Sequence, residues 1–166
     1  MTLIRLICPL YLLLLTNATV SVAQVAIDIE PDVVVCAAHE TQAPATAQSL
    51  PPDFTAADCS VTKFWKIDPQ GKELWFKADL IVSAVELDEL QPLGLFISAK
   101  MSSQVYLNGV FIGQNGIPSH NQKTEFPGRM DANFFVPRSV LTDGQNELVV
   151  RASSHLGFLQ LNSPIH

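Results

Sequence analysis

The chain reads as an all-β sandwich. Three observations predict this: an Asn-Gly pair between two short apolar runs, two longer stretches in which apolar and polar residues alternate, and turn signals about every ten residues. No segment offers helical periodicity over more than two turns, and neither an internal repeat nor a coiled coil is present.

Residues 1–23 carry one basic residue, Arg5, then an apolar stretch through Leu15, then small and polar residues ending Ser21-Val22-Ala23. That order predicts a secretory signal peptide cut after Ala23. Its apolar core is shorter than the roughly 18–20 residues a membrane span needs, which leaves an uncleaved anchor as the alternative. Cys8 lies inside the apolar core with no small-residue cleavage site before it, which argues against a lipoprotein. Removing the segment takes away Arg5 and no acid, so Lys+Arg falls from 10 to 9 against 16 Asp+Glu and the net charge goes from −6 to −7. An acidic exported chain with no basic run is a poor binder of polyanions, so nucleic acid and anionic headgroups are not expected partners. The roughly 140 remaining residues suffice for one domain with a hydrophobic core.

Cys36 and Cys59 remain after cleavage. An even pair in an oxidising compartment favours a disulfide, with two free thiols as the alternative. His39, three residues after Cys36, has metal-like spacing, but two cysteines and one histidine leave a zinc site short of ligands, so no metal and no cofactor is expected.

The span 24–62 reads as an N-terminal arm and linker, with Val33-Val34-Val35 its clearest strand. Thr41 to Pro52 holds three prolines and no aromatic residue, the composition of a loop. Asp53 is placed to N-cap one helical turn over Phe54-Thr55-Ala56-Ala57. The sandwich itself is assigned to 63–166. Asp68-Pro69-Gln70-Gly71 is a turn by composition, and the strand after it places Leu74, Phe76, Ala78, Leu80 and Val82 on one face. Trp75, Lys77 and Asp79 take the other face, where Trp75 is either part-exposed or buried under another layer. Leu93, Leu95, Ile97, Ala99 and Met101 repeat the alternation, with Ser98 and Lys100 opposed.

Asn108-Gly109 then makes a two-residue hairpin turn, because both central positions require positive φ. The loop from Gln114 to Met130 is long for a segment without structure of its own, and such loops are often functional. Ala132–Val136 reads as a strand ended by Pro137, Leu141–Gln145 as a turn, and Glu147–Ser153 as the last strand, burying Leu148, Val150 and Ala152.

Three landmarks, Trp75 with its strand, Tyr106-Leu107-Asn108-Gly109, and Gly144-Gln145-Asn146-Glu147-Leu148, resemble the galactose-binding-like jelly-roll modules and cover roughly 64–153. The resemblance implies a jelly-roll β-sandwich (galactose-binding-domain-like) with an N-terminal arm. A narrower resemblance, carried by Ile112–Pro118, Glu125–Asp131 and Phe135-Val136-Pro137, is to the extracytoplasmic sensor domains of bacterial histidine kinases and diguanylate cyclases. Those are akin to seven-transmembrane receptors with diverse intracellular signalling modules. It implies a non-catalytic sensor of a small-molecule or carbohydrate ligand, or of a periplasmic partner protein. Such a domain sits in the bacterial periplasm or at the outer face of the inner membrane, tied to the membrane only through segments beyond His166. The alternative is a secreted carbohydrate-binding accessory module of glycoside-hydrolase type. The two differ in what they require: exposed aromatic rings in a groove for the accessory module, a basic or polar pocket for the sensor.

The candidate ligand-binding residues are Asn115, Glu125, Arg129 and Asp131 on the long loop and His155 after the last strand. Arg129 and Asp131, two apart, share a side of an extended segment and can offer donors and acceptors to a hydroxyl pair or a carboxylate. The structural alternative pairs Arg129 with a carboxylate such as Glu125 to hold the loop down. His155 is either a solvated histidine or a pH-sensitive group, and Trp65 and Trp75 are possible stacking platforms for a sugar ring. No G-x-S-x-G, H-E-x-x-H or phosphate-binding loop motif occurs, and no enzymatic activity is expected of this chain.

Overall fold

The computed structural model describes residues 29–38, 50–84, 87 and 93–156. The signal peptide assigned to 1–23 and residues 41–49 of the linker lie outside them. Eight strands occur among the described residues: β1 (Asp32–Ala37), β2 (Cys59–Lys63), β3 (Glu73–Val82), β4 (Leu93–Ser98), β5 (Ser102–Leu107), β6 (Val110–Asn115), β7 (Asp131–Val136) and β8 (Gly144–Ser153). Six form one sheet in the order β2-β1-β3-β8-β5-β6, while β4 and β7 form a second, two-stranded sheet. Every strand pairing is antiparallel.

Alternation in the sequence explains where the core sits. Leu74, Phe76 and Ala78 of β3 stand opposite Ala152, Val150 and Leu148 of β8, and all six are buried in one cluster between the sheets. Leu93, Leu95 and Ile97 of β4 and Ala132, Phe134 and Val136 of β7 close it from the other side. The expected sandwich is therefore present. Met101 is also buried, although β4 ends at Ser98 and the chain turns before it.

The outer face of the large sheet carries a smaller cluster of Trp75, Tyr106 and Val149, packed against Ala38, Phe54 and Phe111. Trp75 is thus buried under another layer, with its ring 5.9 Å from that of Tyr106 and the Arg151 guanidinium 6.0 Å away. Arg151 is itself held by Glu73 and by the side-chain carbonyl of Gln104, at 3.2 Å. Burial pushes the Tyr106 phenol above its ordinary range, and the nearby Arg151 charge pulls it back in part.

The residues before Lys63 add two strands to this sheet. β1 pairs with β3 and β2 pairs with β1 in a register that sets Cys36 directly across from Cys59, and the two are joined by a disulfide. The expected helical turn after Asp53 is not formed. The Asp53 carboxylate accepts from the Thr55 amide (2.9 Å) and hydroxyl (2.7 Å), and the Ala56 N–H donates to the Asp53 carbonyl, giving a turn that leads into β2. Those bonds from Thr55 hold the Asp53 carboxyl below its ordinary range. The Asx geometry competes with helix at this position.

The hairpin turn has Asn108 at φ +49° and Gly109 at φ +77°, as an Asn-Gly turn between paired strands requires. The Asn108 side chain does more than permit the turn. Its amide donates to the Val140 carbonyl (2.7 Å) and to Asn146 Oδ1 (2.8 Å), and its oxygen accepts from the Glu147 N–H (2.8 Å). Asn146 is fully buried, donates to the carbonyls of Thr142 (2.8 Å) and Gly144 (3.1 Å), and accepts from the Thr142 N–H (2.8 Å). The β5–β6 hairpin and the start of β8 are thereby locked to each other.

Candidate functional site

β6 is one of the two edge strands of the large sheet, and β7 belongs to the small one. Between them opens a groove of about 500 Å3 whose lining includes Gln114, Phe126, Arg129, Asp131, Asn133 and Phe135. Each of these is placed by a local cause. Because β7 turns Ala132, Phe134 and Val136 into the core, the strand period sends Asp131, Asn133 and Phe135 outward, and Phe135 is 64% exposed. The Ser98 hydroxyl donates to the Asp131 carboxylate at 2.7 Å and fixes that side chain across the β4–β7 pair.

The loop from β6 to β7 is pinned at several points. Ile117 and Phe126 exchange backbone hydrogen bonds of 2.8 and 3.0 Å, and the Ser102 hydroxyl donates to the Phe126 carbonyl at 2.7 Å. Its backbone is fixed while its ring stays 64% exposed. Gly116, at φ +73°, makes the close approach possible, because a Cβ there would lie 2.3 Å from the Phe126 carbonyl oxygen. The Asn115 amide takes the place of a strand partner: it donates to the Arg129 carbonyl (2.7 Å) and accepts from the Arg129 N–H (2.8 Å). Arg129 is held through its backbone, with its side chain exposed beside the groove.

Glu125 turns the other way. Although buried, its carboxylate accepts from the Ser153 hydroxyl and from the N–H groups of His155 (2.9 Å) and Leu156 (3.0 Å). A carboxylate paired only with neutral donors this way ties the loop to the end of β8. The His155 ring lies 2.9 Å from the Ser119 carbonyl through Nε2, closing the same latch. A cavity of about 130 Å3, lined in part by Glu125, Met101, Ser102 and Ser154, lies on this side of the loop.

The structure thus divides the sequence-derived residues. Asn115, Arg129 and Asp131 meet at the groove; Glu125 and His155 meet each other behind it. Glu125 bonds to β8 and the residues after it, so the loop is held without the Arg129–Glu125 pairing. Trp75 is buried and offers no ring to a ligand, and Trp65, 70% exposed, follows β2 at the opposite edge of the sheet from the groove. Sequence reasoning passed over Phe126, Asn133 and Phe135. For two of them the signal was present: in Ala132-Asn133-Phe134-Phe135-Val136, Asn133 and Phe135 are out of phase with the buried series.

Among the described residues no group of His, Cys, Asp and Glu is arranged to hold a metal ion, and no helix is long and apolar enough to cross a membrane. The disulfide fits an oxidising compartment.

No family model and no curated protein matches the chain. Among solved structures it is similar to a β-D-mannosidase from Dictyoglomus thermophilum, with a TM-score of 0.51 and 16% identity. The match covers 85% of this chain and 18% of that one, so the likeness is one of fold and extends over a small part of the longer protein.

Proposed function

We propose that this chain is an exported, non-catalytic carbohydrate-binding module of the accessory type associated with glycoside hydrolases. One observation carries the reading: two largely exposed phenylalanines, Phe126 and Phe135, share an open groove with the side chains of Arg129, Asp131, Asn133 and Gln114. A pyranose has an apolar C–H face and a rim of hydroxyls. Aromatic rings take the first, and amide, guanidinium and carboxylate groups take the second. Both rings sit on backbone fixed by hydrogen bonds, which limits the ordering cost of binding.

The accessory module calls for exposed aromatic rings in a groove, and Phe126 and Phe135 supply them; the polar groups that the sensor reading calls for line the same groove, so the rings carry the choice. The fold likeness to part of a β-D-mannosidase supports the choice of β-mannan as a first probe. Affinity electrophoresis through gels containing β-mannan, xylan, galactan or a β-glucan tests the proposal. Retardation by at least one polysaccharide, lost in Phe135→Ala and weakened in Arg129→Ala, is the expected result. Mobility unchanged in every gel would overturn it.

A further inference from the structure

The groove is one end of a longer exposed surface. On the outer face of the β4–β7 sheet, Gly94, Phe96 and Ser98 of β4 stand opposite Phe135, Asn133 and Asp131 of β7. Phe96 is 63% exposed, close to the 64% of Phe135. Its position follows from the same strand period, because Leu95 and Ile97 on either side of it face the core. Across a strand pair, side chains directly opposite stand about 5 Å apart and diagonal ones about 7–8 Å. Phe96 is opposite Asn133 and diagonal to Phe135, which itself lines the groove.

Gly94 leaves this face open. A Cβ at that position would sit 3.0 Å from Asn133 Oδ1, so the amide leans over the bare glycine, with one phenyl ring across the sheet and another along its own strand. Beyond it, the Ser98–Asp131 pair offers a fixed carboxylate on the same face. Phe96 thus adds a ring on β4 beside the Phe135, Asn133 and Asp131 of β7 that already line the groove.

We propose that Phe96 forms a second sugar-stacking platform continuous with the groove, so that the ligand is a polysaccharide segment several residues long, bound across β7 and β4, and not a single sugar. This rests on the carbohydrate reading above. The interleaving of polar groups with the rings distinguishes the surface from an apolar protein-docking face, whose buried centre is depleted of charge. A hexasaccharide reaches both platforms, whereas a monosaccharide occupies the groove alone.

The test is calorimetric titration of the full chain with matched monosaccharides and hexasaccharides from β-mannan, xylan, galactan and a β-glucan, repeated with Phe96→Ala and Phe135→Ala. Circular dichroism checks that each variant is folded. For the glycan that binds, Phe96→Ala is expected to weaken the hexasaccharide about five- to tenfold and leave the monosaccharide unchanged, while Phe135→Ala weakens both. A hexasaccharide affinity indifferent to Phe96→Ala but sensitive to Phe135→Ala overturns the extension and leaves the groove standing. If no hexasaccharide binds the unmodified protein, both readings fall. Sedimentation velocity supplies a separate check: a concentration-dependent dimer abolished by Phe96→Ala would assign this face to a second copy of the chain and overturn the inference.

Discussion

Replacing Asn146 with alanine removes the most connected polar side chain described in the sandwich. The lost bonds are its donations to the Thr142 and Gly144 carbonyls, at 2.8 and 3.1 Å, its acceptances from the Thr142 N–H and the Asn108 amide, both at 2.8 Å, and a longer acceptance from the Thr142 hydroxyl, at 3.3 Å. At a net value of about 1 kcal/mol for each of the four shorter bonds the loss would be about 4 kcal/mol. Three features adjust this figure. Asn108 keeps its bond to the Val140 carbonyl, and Thr142 is exposed enough for water to reach its backbone, both of which reduce the cost. The fully buried cavity left behind raises it. The expected destabilisation is about 3–4 kcal/mol, or about 10–15 °C in Tm for a domain of this size. Urea unfolding followed by tryptophan fluorescence measures it, since Trp75 is buried. Asn108→Gly keeps the turn's backbone freedom, and the double-mutant cycle with Asn146→Ala is expected to show about 1–2 kcal/mol of coupling. Asn146→Asp sets carboxylate oxygen against two carbonyls, so it is as damaging as alanine at neutral pH and recovers in part in acid, where a protonated carboxyl can donate. A loss below about 1 kcal/mol for Asn146→Ala at unchanged m would refute this account of the junction.

Three other perturbations follow from the same structure. Gly116→Ala and Gly109→Ala both place a Cβ at positive φ, but only the first meets backbone, at 2.3 Å from the Phe126 carbonyl. Chemical denaturation is expected to give about 1 kcal/mol for Gly109→Ala and at least about 3 kcal/mol for Gly116→Ala, and equal losses would contradict the close approach. Cys36 and Cys59 lie 23 residues apart, so the double serine variant is expected to lose about 3 kcal/mol in the chain-entropy model; equal denaturation midpoints for the oxidised protein and the variant would count against it. Tyr106 has a folded-state pKa above its ordinary 10.0, so the fold prefers the neutral phenol. Its contribution is complete below pH 10 and is lost as the pH rises from there through the folded-state value; unfolding curves at pH 8 and pH 11 should show an alkaline loss that Tyr106→Phe lacks.

Much of this architecture was legible because burial on one face imposes a period of two. Leu74 to Val82, Leu93 to Ile97 and Leu148 to Ala152 all bury the faces their alternation specifies. β2 escaped notice because Cys59-Ser60-Val61-Thr62-Lys63 is an edge strand with no buried residue, so its hydrogen bonds and its disulfide, not an apolar stripe, define it. The order in the 114–130 loop was hidden for a different reason. Glu125 is satisfied by Ser153 and by the N–H groups of His155 and Leu156, about 30 residues away in sequence, and no local pattern reports such partners. Asn133 and Phe135 were readable in principle, as was Phe96 between Leu95 and Ile97, since an aromatic residue out of phase with its strand faces outward.

The residues that identify the fold and those that form the candidate site are therefore different residues with opposite structural requirements. Asn108 and Asn146, which carry two of the family-like landmarks, point at each other and fasten the hairpin to β8; their polar atoms are engaged within the chain. Their presence specifies a sandwich and says nothing about a ligand. Phe96, Phe126 and Phe135 contribute little to the core, and each exposes most of its ring. Exposed phenyl rings on paired strands add only strand propensity and cross-strand contact to the fold, and it is their grouping around one groove and its adjoining sheet face that the carbohydrate reading draws on. Substitutions at the two asparagines should lower stability whatever the ligand. Substitutions at the three phenylalanines should change binding with stability nearly untouched, and it is this separation that allows the carbohydrate reading to be tested without first unfolding the module that carries it.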